Sequence, residues 1–213
     1  MVVITAIYQP NDQTRQMVKS FERHGYEVAV LTDPFRGNGD AMKRLYACYK
    51  RAVSGHTHAI YSDGGDTFCQ RTFDFPTSLT WSAEKACYPH PEMAKRYKYG
   101  NAFKSPWRYL NNGGYGGPLD ALIEFFDRYG LNRLPNEANG QAEAMEAYLK
   151  AKEDGLQIKL DTRCDLFQCI AHTDPNDFSF DGQLLVNNVT KTTPAILHGN
   201  GRTDMGHIYE RWA

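Results

Sequence analysis

Residues 2–63 alternate between short apolar runs and helical stretches, and that alternation constrains the fold more than any other feature of the chain. Val2 to Tyr8 is apolar and rich in β-branched residues, which reads as a buried strand. Asp12 to His24 has helical spacing, with Met17, Val18 and Phe21 on one face, and Gly25 stops it. Tyr26 to Leu31 is a second strand, Asp33 to Asp40 a turn-rich loop, Ala41 to Val53 a helix, and Thr57 to Tyr61 a third strand. Strand, helix, strand, helix, strand predicts a parallel, doubly wound sheet. Ligands of such sheets bind at the carboxyl ends of the strands, and Asp63 sits at such an end.

Beyond residue 63 the regularity weakens. Leu79 to Ala83 is a strand candidate, Pro89 to Arg108 is irregular, basic and aromatic, and Tyr109 to Gly117 reads as a glycine-rich turn region. Leu119 to Tyr129 and Glu137 to Lys152 are amphipathic helices. Ile158 to Leu160, Leu184 to Asn187 and Ala195 to Leu197 are short strand candidates. No repeat, low-complexity tract or linker interrupts the chain, so residues 1–213 are expected to form a single domain.

A formal net charge of -1 argues against bulk attraction to nucleic acid or to an anionic membrane, though not against a local patch. The start, MVVITAIYQP, lacks the basic and long apolar regions of a signal peptide. No run approaches the roughly 18 apolar residues of a membrane span. A cytoplasmic protein is the expectation. The five cysteines are odd in number and scattered without a CxxC pair, which suits reduced structural thiols.

Three short motifs carry chemistry. In Tyr61-Ser62-Asp63-Gly64-Gly65-Asp66, two carboxylates three residues apart at a strand end suit a hard divalent ion, Mg²⁺ or Mn²⁺, with positions left for phosphate oxygens. A solvated Asp-Gly turn would carry the same residues. In Leu197-His198-Gly199-Asn200-Gly201, an apolar run ends in a His that can supply a nitrogen ligand, and the following N–H groups can cradle phosphate. An incidental His in a surface loop is the alternative. In Tyr109-Leu110-Asn111-Asn112-Gly113-Gly114-Tyr115, short polar side chains could hold the hydroxyls of a sugar, or form a plain loop.

Other fragments fall in a fixed order around these motifs. They run from Ile4-Thr5-Ala6 through Val30-Leu31, Phe35-Arg36-Gly37 and Lys43 to the Asp63/Asp66 pair. They continue with Ser82-Ala83-Glu84, Cys87 and Pro89, then Leu110 to Gly114, Gln141, Leu160-Asp161 with Phe167-Gln168, and His198 to Gly201 with Thr203. In order and spacing, nearly the whole chain resembles the glycosyltransferase domain of the procollagen lysyl hydroxylase/glycosyltransferase family. The resemblance implies an α/β GT-A fold, with a mixed, mainly parallel sheet flanked by helices, that binds a UDP-sugar donor with Mn²⁺ (or Mg²⁺). Asp63, Asp66 and His198 match the metal ligands. Thr5, Ala6, Phe35 and Lys43, with the Asp63 loop, match the nucleoside side. Asn112 and Gly113 match the sugar-side loop, and Asn200, Gly201, Arg202 and Thr203 the diphosphate loop. The chain departs from the family at Phe35 and Tyr88, where the family has tryptophan, and at Gly65, where the family has tyrosine. Asp204 replaces a lysine, and Glu137, Ala138, Asn139 and Gly140 replace a run of aspartates.

The implied reaction is transfer of a sugar to a hydroxyl acceptor with departure of a nucleoside diphosphate. An inverting path needs a base, for which Glu84, Asp161 and Glu143 are the candidates; Glu84 and Asp161 could instead be buried carboxylates that fix a loop. Residues 91–109 interleave Lys95, Arg96, Lys98, Lys104 and Arg108 with Tyr97, Tyr99, Phe103, Trp107 and Tyr109, a pattern used in binding single-stranded or flipped bases, though a solvated loop packed by its own aromatics carries it equally. DNA carrying a hydroxylated base, as viruses of bacteria make, is thus one acceptor; a hydroxylated protein side chain or a glycan are others. Two rival classes remain: a non-catalytic nucleotide-sugar binder, and a DNA-binding module without chemistry.

Overall fold

The computed structural model describes residues 1–213 apart from Tyr8, Asp33, residues 98–104, Arg202 and Ala213. The strands are β1 (Val2–Ala6), β2 (Glu27–Leu31), β3 (His58–Ser62), β4 (Thr67–Cys69), β5 (Thr80–Glu84), β6 (Tyr109–Pro118), β7 (Lys159–Asp161), β8 (Phe167–Cys169), β9 (Phe178–Asp181), β10 (Leu184–Asn187) and β11 (Ile196–His198). The α-helices are α1 (Asp12–Glu22), α2 (Asn38–Ala52), α3 (Leu119–Arg128), α4 (Gly140–Glu153) and α5 (Gly206–Glu210).

The six-stranded central sheet has the order β2-β1-β3-β6-β5-β7. β6 pairs antiparallel with both β3 and β5, and the other pairings are parallel. The fold is therefore the expected mixed, mainly parallel sheet flanked by helices. The chain leaves β1 towards β2 and returns to β3 on β1's other side. That reversal opens a crevice at the carboxyl ends of β1 and β3, beside Ala6 and Asp63.

Alternation along the strands sorts the core into two layers. Ile4, Ala59 and Tyr61 point to one face, where α2, α3 and α4 bury Leu45, Tyr49, Phe125, Phe126 and Met145. Val3 and Ile60 point to the other, against Met17 and Phe21 of α1 and Phe167 and Ile196 of the small sheet β4-β11-β8. Asn11 caps α1 through a reciprocal box with Thr14, and Gly25, at φ 81°, lets the chain turn away after it.

The main departure from the sequence reading is Tyr109–Pro118. Its glycines read as turn signals, yet the segment is a central strand. The glycines are there because its neighbours crowd it: a methyl on Gly114 would sit 2.8 Å from the Phe167 ring of the small sheet, and one on Gly116 2.5 Å from Cδ1 of Ile60 on the adjacent β3. β4, β8, β9 and α5 also escaped the reading; they are three to five residues long, too short for periodicity to register. Helix α2 begins at Asn38, inside the expected loop, because Gly37 and Gly39 let it start against the backbone at Pro135 and Asn136.

Replacing Gly116 by alanine would set its methyl 2.6 Å from the Ala59 carbonyl oxygen, a backbone atom with little room to move. A loss of about 1–3 kcal/mol is expected, or about 3–10 °C in Tm. Gly55→Ala, with nothing within 4 Å, should leave Tm nearly unchanged. Thermal unfolding of both variants checks this.

Candidate active site

Asp63 and Asp66 flank the turn between β3 and β4, and His198 ends β11. The local hydrogen bonds bring all three together. Asp63 N–H donates to the Gly113 carbonyl at 2.8 Å, continuing the β3–β6 ladder by one residue. Thr67 Oγ1 donates to the Asp63 carbonyl at 2.8 Å and closes the turn. Gly199 N–H donates to the Asp66 carbonyl at 2.7 Å, and His198 pairs in register with Thr67. Ligand atoms of Asp63, Asp66 and His198 lie within 4.8 Å of one another.

His198 Nε2 lies 3.5 Å from Asp66 Oδ1 and 3.9 Å from Asp63 Oδ2. Asp63 Oδ1 is engaged by Tyr61 Oη and Gly64 N–H, which leaves Oδ2 free to face the cluster. Asp66 Oδ1 is buried with no hydrogen-bond partner. A buried carboxylate oxygen without a donor, beside a second carboxylate and an imidazole nitrogen, is a donor set that a hard divalent cation would complete. The electrostatics agree. Burial, then the charge of Asp66, raises the Asp63 carboxyl above its ordinary value. Burial by itself would lower the His198 imidazole, but the nearby Asp66 carboxylate and Cys169 outweigh that and hold it well above its usual value. A cation would relieve this concentration of negative charge.

The carboxylates form the wall between two clefts. One, of about 720 Å³, is bounded by Ala6, Phe35, Gly64, Gly65 and Thr203. The other, of about 520 Å³, is bounded by Glu84, Tyr88, Asn111, Asn112, Gln141, His172 and Asn200. Asp63 and Asp66 border both.

Glu84 is buried in the second cleft, where Asn111 Nδ2, Gln141 Nε2 and Asn200 Nδ2 donate to it at 3.2, 3.4 and 3.0 Å. Burial pushes its carboxyl up to about 7, against the pull of Asn111, His198 and Asn200. Gln141 also accepts from Asn112 N–H at 2.7 Å and donates to the carbonyls of Leu110 and Tyr88, so it fixes that wall.

Other sequence candidates lie elsewhere. Asp161 accepts from the N–H groups of Asp165, Leu166 and Phe167, which spends its carboxylate on the turn into β8. Glu143, two residues after Gln141 and so about 200° around α4, borders a separate cleft with Arg96 and Glu146. Thr5 is fully buried and Lys43 bonds Asn136 Oδ1 at 2.9 Å; neither borders the two clefts. Gly113 and Gly201 border the second cleft, and Arg202 lies outside the described residues. Of the basic and aromatic stretch, residues 98–104 are likewise outside. Tyr97 and Trp107 are buried, and Trp107 Nε1 donates to the Cys169 carbonyl, so neither offers a face for stacking.

The family model described as the PLOD GT domain matches residues 57–208, more than two thirds of the chain. The chain belongs to the PLOD GT-domain family. This glycosyltransferase domain is 27% identical, over 93% of its length, to the procollagen-lysine,2-oxoglutarate 5-dioxygenase of Drosophila melanogaster, of which it spans 30%. Its fold is similar to that of a glycosyltransferase involved in glycosylation of the major capsid of PBCV-1, with a TM-score of 0.57 at 12% identity, covering 98% of this chain and 97% of that one. No helix among the described residues is long and apolar enough to cross a membrane.

Sequence reasoning missed part of the GT domain's second cleft: Asn38 and Met42 of α2, and His172, which borders it with a left-handed φ of 59°. Asn38 was hidden in an expected loop, and nothing local marks His172.

Glu84 generates a pH prediction. Its carboxyl, ordinarily at 4.5, is near 7 in the folded chain. Between those values the folded state holds a proton that the unfolded state has released, so stability falls as pH rises through that window, by about 3 kcal/mol in all. In Glu84→Gln that part of the slope should vanish. Urea unfolding with EDTA at pH 5, 6 and 7 checks it, and an unchanged slope in the variant would refute the shift.

Proposed function

We propose that this domain transfers a sugar from a UDP-sugar to a hydroxyl acceptor with the help of Mn²⁺ or Mg²⁺. The observation that carries the reading is the unpartnered Asp66 Oδ1 in the Asp63–Asp66–His198 cluster, on the wall between two clefts. Asp63, Asp66 and His198 would hold the cation, which when bound offsets the charge that develops on a departing diphosphate. Phe35 would stack on the nucleoside in the first cleft, with Ala6 and Thr203 beside it. On the other side of the carboxylates, Asn112, whose Oδ1 has no hydrogen-bond partner, would face the transferred sugar, while Asn111 and Asn200 hold Glu84. Residues 1–213 would act as one catalytic unit.

Glu84 is the carboxylate we assign as base. It borders the second cleft, and a group near 7 is matched to taking a proton from an acceptor hydroxyl at neutral pH. Asp161 and Glu143 have no such access. The acceptor would be a hydroxyl group. A hydroxylated base in viral DNA draws less support than the residue pattern promised, because Tyr97 and Trp107 are in the core. A hydroxylated protein side chain or a glycan fits the same cleft chemistry.

Release of UDP from a panel of UDP-sugars, with Mn²⁺ and no acceptor, tests the reading. One donor should be hydrolysed, with the rate falling at least about 100-fold in EDTA and in Asp66→Ala. The rate should rise as pH passes about 7 and lose that rise in Glu84→Gln. Absence of any metal-dependent UDP binding would overturn the site assignment.

A further inference from the structure

We propose that Cys169 is a positioning residue for the cation site, holding His198 in the orientation that turns Nε2 towards Asp63 and Asp66. This inference rests on the reading of those three residues as a metal site.

A neutral imidazole that offers Nε2 to a cation carries its proton on Nδ1, and that N–H needs an acceptor inside the protein. His198 is 5% exposed, so water does not serve. Among the described residues, the partner of Nδ1 is Cys169 Sγ, at 3.9 Å. The contact follows from register: β8 and β11 are parallel neighbours in which Cys169 pairs with His198, so their side chains leave the sheet on the same side. Cys169 is in turn anchored by Ser82 Oγ at 3.1 Å. Ser82 lies on β5, where the register with β6 shifts between Trp81 and Ser82. The chain Ser82–Cys169–His198 therefore ties the central sheet to the small sheet that carries the imidazole. Gly113 closes the slot against the ring. A methyl there would overlap the imidazole, 2.8 Å from Nδ1 and 2.9 Å from Nε2. The ring is thus confined by the Gly113 backbone and steered by the Cys169 sulfur.

Cys164 supplies the control. It is as fully buried as Cys169 and belongs to the same small cluster with Ala83 and Trp107, but makes no hydrogen bond to His198. Calorimetric titration of the intact chain with Mn²⁺ alone reads the effect without any turnover. Cys169→Ala should weaken Mn²⁺ binding about 10-fold or more. Cys169→Ser, which restores a polar acceptor, should lie between Cys169→Ala and wild type, and Cys164→Ala should bind as wild type does. Wild-type affinity in Cys169→Ala, or an equal loss in Cys164→Ala, would overturn the positioning role and leave the metal site standing. No Mn²⁺ binding by the wild type would overturn the metal reading itself and this inference with it.

Discussion

The site depends on close contact between the strand Tyr109–Pro118 and the small sheet laid over it. Side chains on that strand would hold the sheets apart. With hydrogen atoms at 113 and 114, the imidazole of His198 and the ring of Phe167 descend onto the backbone. His198 thereby reaches carboxylates far from it in sequence. The same strand accepts the Asp63 N–H through the Gly113 carbonyl, so one stretch of backbone locates both sides of the cluster.

Burial then sets the chemistry. Two carboxylates and an imidazole share a volume a few ångströms across, with one carboxylate oxygen left unpartnered. Such an arrangement is unfavourable without a positive partner and favourable with one, which is the usual condition of a cation site. Glu84 presents the contrast. It is also buried and three amide donors satisfy it, but burial outweighs their pull and leaves its carboxyl near 7, where it can exchange a proton near neutrality. Neighbouring carboxylates are thus suited to different roles because their surroundings differ.

Much of this was legible in the residues. The β-branched runs before Asp63 and the helical spacing of Met17 and Phe21 disclose the doubly wound half, since local periodicity there agrees with burial. Asp63, Asp66 and His198 were legible as ligand types, though their convergence needs the pairing of β11 with β4, a strand too short to show a period. The glycine-rich strand was misread because glycine signals a turn locally, whereas here it answers to a neighbour distant in sequence. Asp161 and Glu143 illustrate the same limit. Residue type made them candidates for a base; a turn's N–H groups claim the first, and helix rotation carries the second to another cleft.

Diffraction data collected at the manganese absorption edge, from crystals grown with Mn²⁺ and UDP, test the central assignment most directly. The expected result is one strong anomalous peak bounded by Asp63, Asp66 and His198, with the diphosphate beside it and the uracil in the cleft of Phe35. A peak elsewhere, one that excludes His198, or UDP bound away from the two carboxylates would contradict it.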